Sequence, residues 1–273
     1  MLSLRETIDK HSLLASKALG QNFLLDKNIT DKIIRLSLNK QGINDFTGYH
    51  ICEVGPGPGG LTRSILDEKP NSLTVIEMDN RCIEIMQELQ KHTDVPFRIT
   101  HGDALKFDIS KEIPAPRQII SNLPYNVSVP LLVNWLADIG SYGAMTLMFQ
   151  KEVAERITAP TRNKDYGRIS ILSQLCCKID KLFDLSPECF TPAPKIWSTV
   201  LLFRPLENRP SAAEIKALEK ITAAAFGQRR KMLRQSLKSL PQLLDKLESL
   251  GIPPTARAEE LSPQQFWELA KSL

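Results

Sequence analysis

Between Ile51 and Arg204, short apolar runs alternate with longer stretches whose apolar residues recur every three or four positions. The runs HICEV, SLTVIE, PFRIT, QIIS and MTLMF read as strands, and LTRSILDE, CIEIMQELQK and PLLVNWLAD read as the helices among them. This alternation predicts a mainly parallel sheet covered by helices, a doubly wound α/β fold. RISILSQLCC continues a helical period after Gly167. KLFDLS and TVLLFRP then read as two late strands around the proline-rich turn FTPAPK, near enough in sequence to pair antiparallel at a sheet edge.

After Pro205 the pattern changes. AEIKALEKITAAAF, RKMLRQSLKSL and QLLDKLESL keep the helical period with no strands between them. Ser262-Pro263-Gln264-Gln265 adds a capping serine, a first-turn proline and a capping-box glutamine. The expected organisation is an α/β domain over residues 1–206 and a small all-helical domain over 207–273, joined at Asn208-Arg209-Pro210-Ser211.

Composition changes this picture little. A chain of 273 residues suits one large and one small domain, and 42% hydrophobic with 24% charged residues excludes disordered and fibrous classes. The five cysteines, Cys52, Cys82, Cys176, Cys177 and Cys189, contain no CxxC pair and are odd in number. Free thiols in a reducing compartment, with no structural metal, are therefore expected. No targeting signal is legible at the amino terminus, and no run approaches the ~18 apolar residues of a membrane span, so a cytoplasmic protein without a membrane partner is expected. The net charge of +4 permits a polyanionic partner without requiring one.

Candidate chemistry lies at the ends of the strands. Cys52-Glu53-Val54-Gly55-Pro56-Gly57-Pro58-Gly59-Gly60 follows a strand and opens a helix, the position where open sheets bind nucleotides. It formally satisfies GxGxxG, so a nicotinamide dinucleotide and an oxidoreductase are rival readings. Glu53 and two prolines suit a pyrophosphate poorly, because it wants several free backbone N–H donors there. Glu77 ends the second strand, where a carboxylate accepts from both hydroxyls of a ribose; Asp103 follows the third and accepts from an adenine amino group. Helix capping is the plain alternative for either acid.

Ser121-Asn122-Leu123-Pro124-Tyr125 follows the fourth strand and suits an amine nucleophile. The lone pair of an exocyclic adenine amine is shared with the ring, and acceptors at two positions draw it out of the plane. Asn122 offers a side-chain carbonyl and Leu123 a backbone carbonyl, Pro124 fixes the turn, and the Tyr125 ring stacks on a base. A simple turn after a strand is the alternative. Phe190, in the stiff loop Cys189-Phe190-Thr191-Pro192-Ala193-Pro194-Lys195, is a candidate second ring for sandwiching an extruded base, or else a core residue. In the helical region, Arg229, Arg230, Lys231 and Arg234 put positive charge on an expected helix that either neutralises RNA phosphates or is a solvated face. Arg162, Lys164 and Arg168 form a second such strip.

With these residues assembled, the chain resembles the ribosomal RNA adenine N6-dimethyltransferase family, and its bacterial small-subunit members most closely. The resemblance runs from about Lys17 to the carboxyl terminus through GQNFLLD, EVGPGPGGLT, HGDAL, NLPYNVS, QKEVAERI, FTPAPKIWS and FGQRRKMLRQSL. Phe149 and Cys52 depart from the residues expected in relatives and read as core variation. The resemblance implies a Rossmann-like methyltransferase sheet that uses S-adenosyl-L-methionine. It implies contacts to that cofactor from Asn22 and Leu24, Gly55 beneath its amino-acid portion, Glu77 and Asp103 on ribose and adenine, and Asn122 spanning cofactor and target. It further implies N6,N6-dimethylation of two adjacent adenosines in a hairpin loop near the 3′ end of 16S rRNA, by a monomer acting on the immature 30S subunit late in biogenesis. A noncatalytic assembly factor, a large-subunit rRNA methyltransferase, and DNA adenine or protein glutamine N-methyltransferases are the alternatives.

Overall fold

The computed structural model describes residues 3–11, 13, 15, 16 and 21–273; the start of the family-like segment, 17–20, lies outside them. In chain order the strands are β1 (Phe23–Leu24), β2 (His50–Val54), β3 (Ser72–Glu77), β4 (Phe97–His101), β5 (Arg117–Asn122), β6 (Ala144–Gln150), β7 (Cys177–Leu185), β8 (Phe190–Thr191) and β9 (Ser198–Pro205). The helices are α1 (Leu4–Lys10), α2 (Lys27–Gln41), α3 (Gly60–Asp67), α4 (Asn80–Gln90), α5 (Ile109–Glu112), α6 (Ser128–Ala137), α7 (Lys151–Thr158), α8 (Arg168–Cys176), α9 (Ala212–Gly227), α10 (Leu233–Ser236), α11 (Gln242–Ser249) and α12 (Pro263–Ala270).

Seven strands form one sheet in the order β4-β3-β2-β5-β6-β9-β7. The pairs among β2 to β6 are parallel, and β9 runs antiparallel to β6. The mixed α/β class expected from the alternation is thus observed, with the five strands and three helices in their expected places to within a few residues. Ile51, Cys52, Val75, Ile119, Ile120, Met145 and Phe149 are almost wholly buried, as strands covered on both faces require. Cys52 and Phe149, the two departures from the family pattern, are therefore core positions. The separate pair β1–β8 is antiparallel, Phe23 opposite Thr191 and Leu24 opposite Phe190.

The chain divides into two compact units, residues 1–134, 140–151 and 180–204, and residues 135–139, 152–179 and 205–273. This differs from the expected 1–206 and 207–273, because α7 and α8 group with the later helices. The reason lies in the apolar faces: Ala159, Tyr166, Ile171 and Leu175 share a core with Leu218, Ile221, Leu243 and Phe266. The fully buried Tyr166 donates its hydroxyl to the Leu261 carbonyl at 2.9 Å.

The expected helix over RKMLRQSLKSL is also corrected. Gln228 leaves the helical region at φ −128°, ψ 55°, and only Leu233–Ser236 is helical. The N–H groups of Leu233 and Arg234 donate to the carbonyls of Ala256 and Pro254, and Leu233 and Leu237 are fully buried. Tertiary pairing here overrides local helix propensity.

Candidate active site

The carboxyl ends of β2, β3 and β5 and the turn after β4 open into one cleft, where the strand order reverses between β2 and β5. Its walls include Asn22, Leu24, Gly55, Glu77, Asp103, Asn122, Leu123 and Tyr125, so eight positions singled out in the sequence converge from five separate segments.

The glycine loop turns its own donors inward. Gly55 N–H donates to the Ile76 carbonyl at 2.9 Å, Gly57 N–H to Glu77 Oε2 at 3.3 Å, and Gly59 N–H to the Pro56 carbonyl at 3.0 Å. Pro56 and Pro58 have no N–H. Positions 55 to 59 therefore keep no donor for a pyrophosphate. A phosphate-free ligand fits this loop better than a dinucleotide.

Glu77 is 7% exposed; its Oε1 accepts from the N–H groups of Met78 at 2.8 Å and Asp79 at 2.9 Å, while Oε2 carries only the long bond from Gly57. One carboxylate oxygen thus fixes the side chain and the other keeps accepting capacity toward the cleft. Burial raises the Glu77 pKa against the pull of these three backbone donors. Asp103 does cap a short helical turn, accepting from Leu105 N–H at 3.0 Å through Oδ1. Capping takes one oxygen, so it does not exclude a ligand on the other.

Glu53, also in the cleft wall, is 1% exposed and accepts from the Thr62 hydroxyl at 2.7 Å. Burial pushes its pKa up to about 8, the Thr62 bond opposes this, and the charge of Glu77 adds to it. Between its ordinary value of 4.5 and about 8, the folded chain holds a proton that the unfolded chain releases, so stability falls as pH rises through that window. Glu53→Gln removes this titration. The melting temperature of the variant is expected to gain on the wild type by more than about 5 °C between pH 5 and pH 8, read by calorimetry. A constant gap would show that Glu53 does not titrate there.

Asn122 donates Nδ2–H to the Asn22 carbonyl at 3.2 Å, which leaves its side-chain oxygen available as an acceptor. The Tyr125 hydroxyl lies 2.7 Å from that of Ser198, and burial raises its pKa, so the ring stays neutral. Phe190 does not join them. It is 3% exposed, belongs to the core around Phe23 and Leu24, and is absent from the cleft walls. In this structure the candidate base clamp is buried among core side chains, with its backbone paired to Leu24.

Several wall residues were not singled out in the sequence. Gln21 ties the amino-terminal segment to the end of β3 through Asp79 Oδ2 at 3.0 Å, and the Phe23 ring lies where a Cβ on Gly57 would fall, 2.9 Å away. Met78 and Leu105 line the cleft with 57% and 38% of their surface exposed. The signal was present: each stands one or two positions beyond a candidate acid, and an apolar side chain left in water beside a carboxylate suits a flat ligand.

The profile of the family described as "Ribosomal RNA adenine dimethylase" matches residues 13–273. The chain belongs to this family. A protein of Rhizobium johnstonii named "Ribosomal RNA small subunit methyltransferase A" is 48% identical over 276 residues, covering 99% of this chain and 97% of that one. One of the same name in Gluconobacter oxydans is 46% identical over 271 residues, covering 98% and 86%. Among solved structures, a dimethyladenosine transferase from Plasmodium falciparum aligns with a TM-score of 0.75 at 24% identity, over 89% of this chain and 94% of the other. The 23S rRNA methyltransferase ErmE aligns at 0.67 and 21%, over 92% and 99%. These two likenesses show the shared Rossmann-like α/β fold. The enzyme class read from the sequence, an rRNA adenine dimethyltransferase, is that of the family.

In this family member the basic residues of the helical unit behave unequally. Arg229 is half-buried, with Nε 2.8 Å from Glu259 and a second nitrogen 3.2 Å from the Asn163 carbonyl. The sequence placed it on RNA phosphates or on a solvated face; in the structure its ion pair ties the turn near residue 163 to the segment near 259. Arg230, Lys231 and Arg234 are exposed and carry no ion pair among the described residues. Arg162 N–H donates to the Glu259 carbonyl at 2.8 Å, so the two basic strips, far apart in sequence, are neighbours in this unit. Among the described residues, no helix is long and apolar enough to cross a membrane.

Proposed function

We propose that this chain uses S-adenosyl-L-methionine to place two methyl groups on N6 of each of two adjacent adenosines in a hairpin loop near the 3′ end of 16S rRNA. The substrate is the immature 30S subunit, late in its biogenesis, and the enzyme acts in the cytoplasm as a monomer. The observation that carries the reading is the meeting, in one cleft, of two carboxylates suited to an adenosine-bearing ligand with an Asn-Leu-Pro-Tyr turn suited to an amine. The near-full-length relatives named for the small subunit support it over the large-subunit alternative.

The residues fit the cofactor. Glu77 Oε2 accepts from ribose hydroxyls, Asp103 from the adenine amine, and Met78 and Leu105 cover the flat ring. Asn22 and Leu24 close over the ligand from the amino-terminal side, and Gly55 lies beneath its amino-acid portion. When bound, the cofactor supplies a methyl group on a positively charged sulfur. The target amine is prepared by this chain: the Asn122 side-chain carbonyl and the Leu123 backbone carbonyl accept its hydrogens and draw the lone pair out of the ring plane, while Tyr125 stacks on the base. Positioning supplies the rate, and the surplus proton leaves to water without a general base.

The reading is tested by incubating the protein and cofactor with immature small subunits and mapping modified adenosines. N6,N6-dimethyladenosine at two adjacent positions is expected; its absence overturns the reading. In the helical unit, replacing Arg230, Lys231 and Arg234 by alanine is expected to lower the log–log salt slope of subunit binding by about 2 to 3, close to one per lost phosphate contact. Arg229→Ala should instead lower the melting temperature and leave the slope nearly unchanged, because its charge is already paired.

A further inference from the structure

Five large apolar side chains are markedly exposed among the described residues: Met78, Leu105, Ile196, Trp197 and Leu273. Met78 and Leu105 belong to the cleft, and Leu273 ends the chain. Ile196 and Trp197 remain, adjacent in sequence and with no place in the site described above. Trp197 is 48% exposed, whereas Trp135 and Trp267 are 4% and 6% exposed.

Its position is specific. Trp197 immediately precedes Ser198, whose hydroxyl lies 2.7 Å from that of Tyr125. The Trp197 carbonyl accepts from Lys151 N–H at 2.9 Å, which fixes the backbone where β6 ends and β9 begins. The ammonium of Lys151 lies 5.9 Å from the centre of the indole ring and 3.7 Å from Asp184 Oδ2, so its charge is paired, while Lys195 is exposed two positions away. A wide aromatic surface with the exposed Lys195 beside it, one residue from the anchor of the base-stacking tyrosine, matches what a single-stranded polynucleotide offers: flat bases at short intervals on an anionic backbone.

We propose that Trp197 is a stacking platform for the nucleobase next to the target adenosine, with Lys195 facing the phosphate beside it. The proposal rests on the adenosine reading above and names a residue that sets how the RNA segment lies across the cleft. The ring acts on RNA and not on the cofactor.

The test uses the full chain. Wild-type methylation of immature small subunits is measured first; its failure would overturn the adenosine reading itself. With that activity in hand, Trp197→Ala and Trp197→Leu are expected to raise KM for the subunit about tenfold, the loss of one base–ring stack, while KM for S-adenosylmethionine stays unchanged. Trp197→Phe should recover most of the loss. Because Trp197 is the one exposed tryptophan of the three, a protein-free oligoribonucleotide of the target loop should also shield the wild-type fluorescence from acrylamide. An active wild type whose KM for the subunit survives Trp197→Ala would overturn the platform. A Trp197→Leu variant as good as wild type, which would indicate an apolar protein contact, or fluorescence that the oligonucleotide leaves unshielded at saturation, would do the same.

Discussion

Asn122→Ala is expected to lower kcat for methyl transfer by about 100- to 1000-fold, the cost of removing one preorganised polar contact to a reacting group. The cofactor Kd should change only a few-fold. Asn122 sits at the last position of β5, and its amide is held by the Asn22 carbonyl at 3.2 Å, so the remaining oxygen has a set direction. Alanine removes both the acceptor for the amine and the tie to the amino-terminal segment. The tie is one hydrogen bond among several, since Gln21–Asp79 and the β1–β8 pairing still hold that segment. The acceptor has no such substitute. Single-turnover rates with radiolabelled cofactor, set beside calorimetric binding, separate the two effects. A kcat within threefold of wild type would remove Asn122 from the chemistry.

Gly60→Ala is expected to reduce kcat/KM by about 100-fold through a wholly different route. A Cβ on Gly60 would fall against the Leu24 carbonyl oxygen, with the Leu4 side chain 3.3 Å away. The closest obstacle is backbone and cannot rotate aside. Leu24 would have to move outward, carrying with it the cleft wall formed by Asn22 and Leu24 and the pairing of Leu24 with Phe190. A displacement of about 1 Å in a positioning element is enough for an effect of this size. Cofactor affinity should fall with the rate, and amide exchange of Phe23 and Leu24 should quicken. Gly227→Ala, at the end of α9 with open space around its Cβ, is the comparison that should leave both unchanged. Normal exchange at Phe23 and Leu24 in Gly60→Ala would show that the segment is not packed as described.

Much of the cleft was legible because its parts are short and local. The glycine loop begins directly after β2, Glu77 closes β3, and Asn122 closes β5, so each lies at a strand end that the apolar pattern had already marked. The roles of Phe190 and Arg229 were not legible in the same way. A phenylalanine in a proline-rich loop reads equally as a clamp or as core, and its partner Leu24 lies 166 positions earlier in the chain. An arginine in a basic run reads as a free cation until Glu259, 30 positions on, is found against it. Met78 and Leu105 were passed over although each stands one or two positions beyond a candidate acid, because their exposure is settled only by the packing around them.

The sequence by itself determined the α/β class, the helical carboxyl-terminal region and the kind of ligand groups at the strand ends, because periodicity and turn chemistry act over a few residues. Only the tertiary structure decided that residues 152–179 pack with the later helices, that the amino-terminal strand lies over the glycine loop, and that Trp197 stays at the surface while Phe190 does not. These outcomes depend on contacts between segments far apart in the chain. Burial and charge pairing are shared properties of two such segments, and neither segment's own pattern specifies the other.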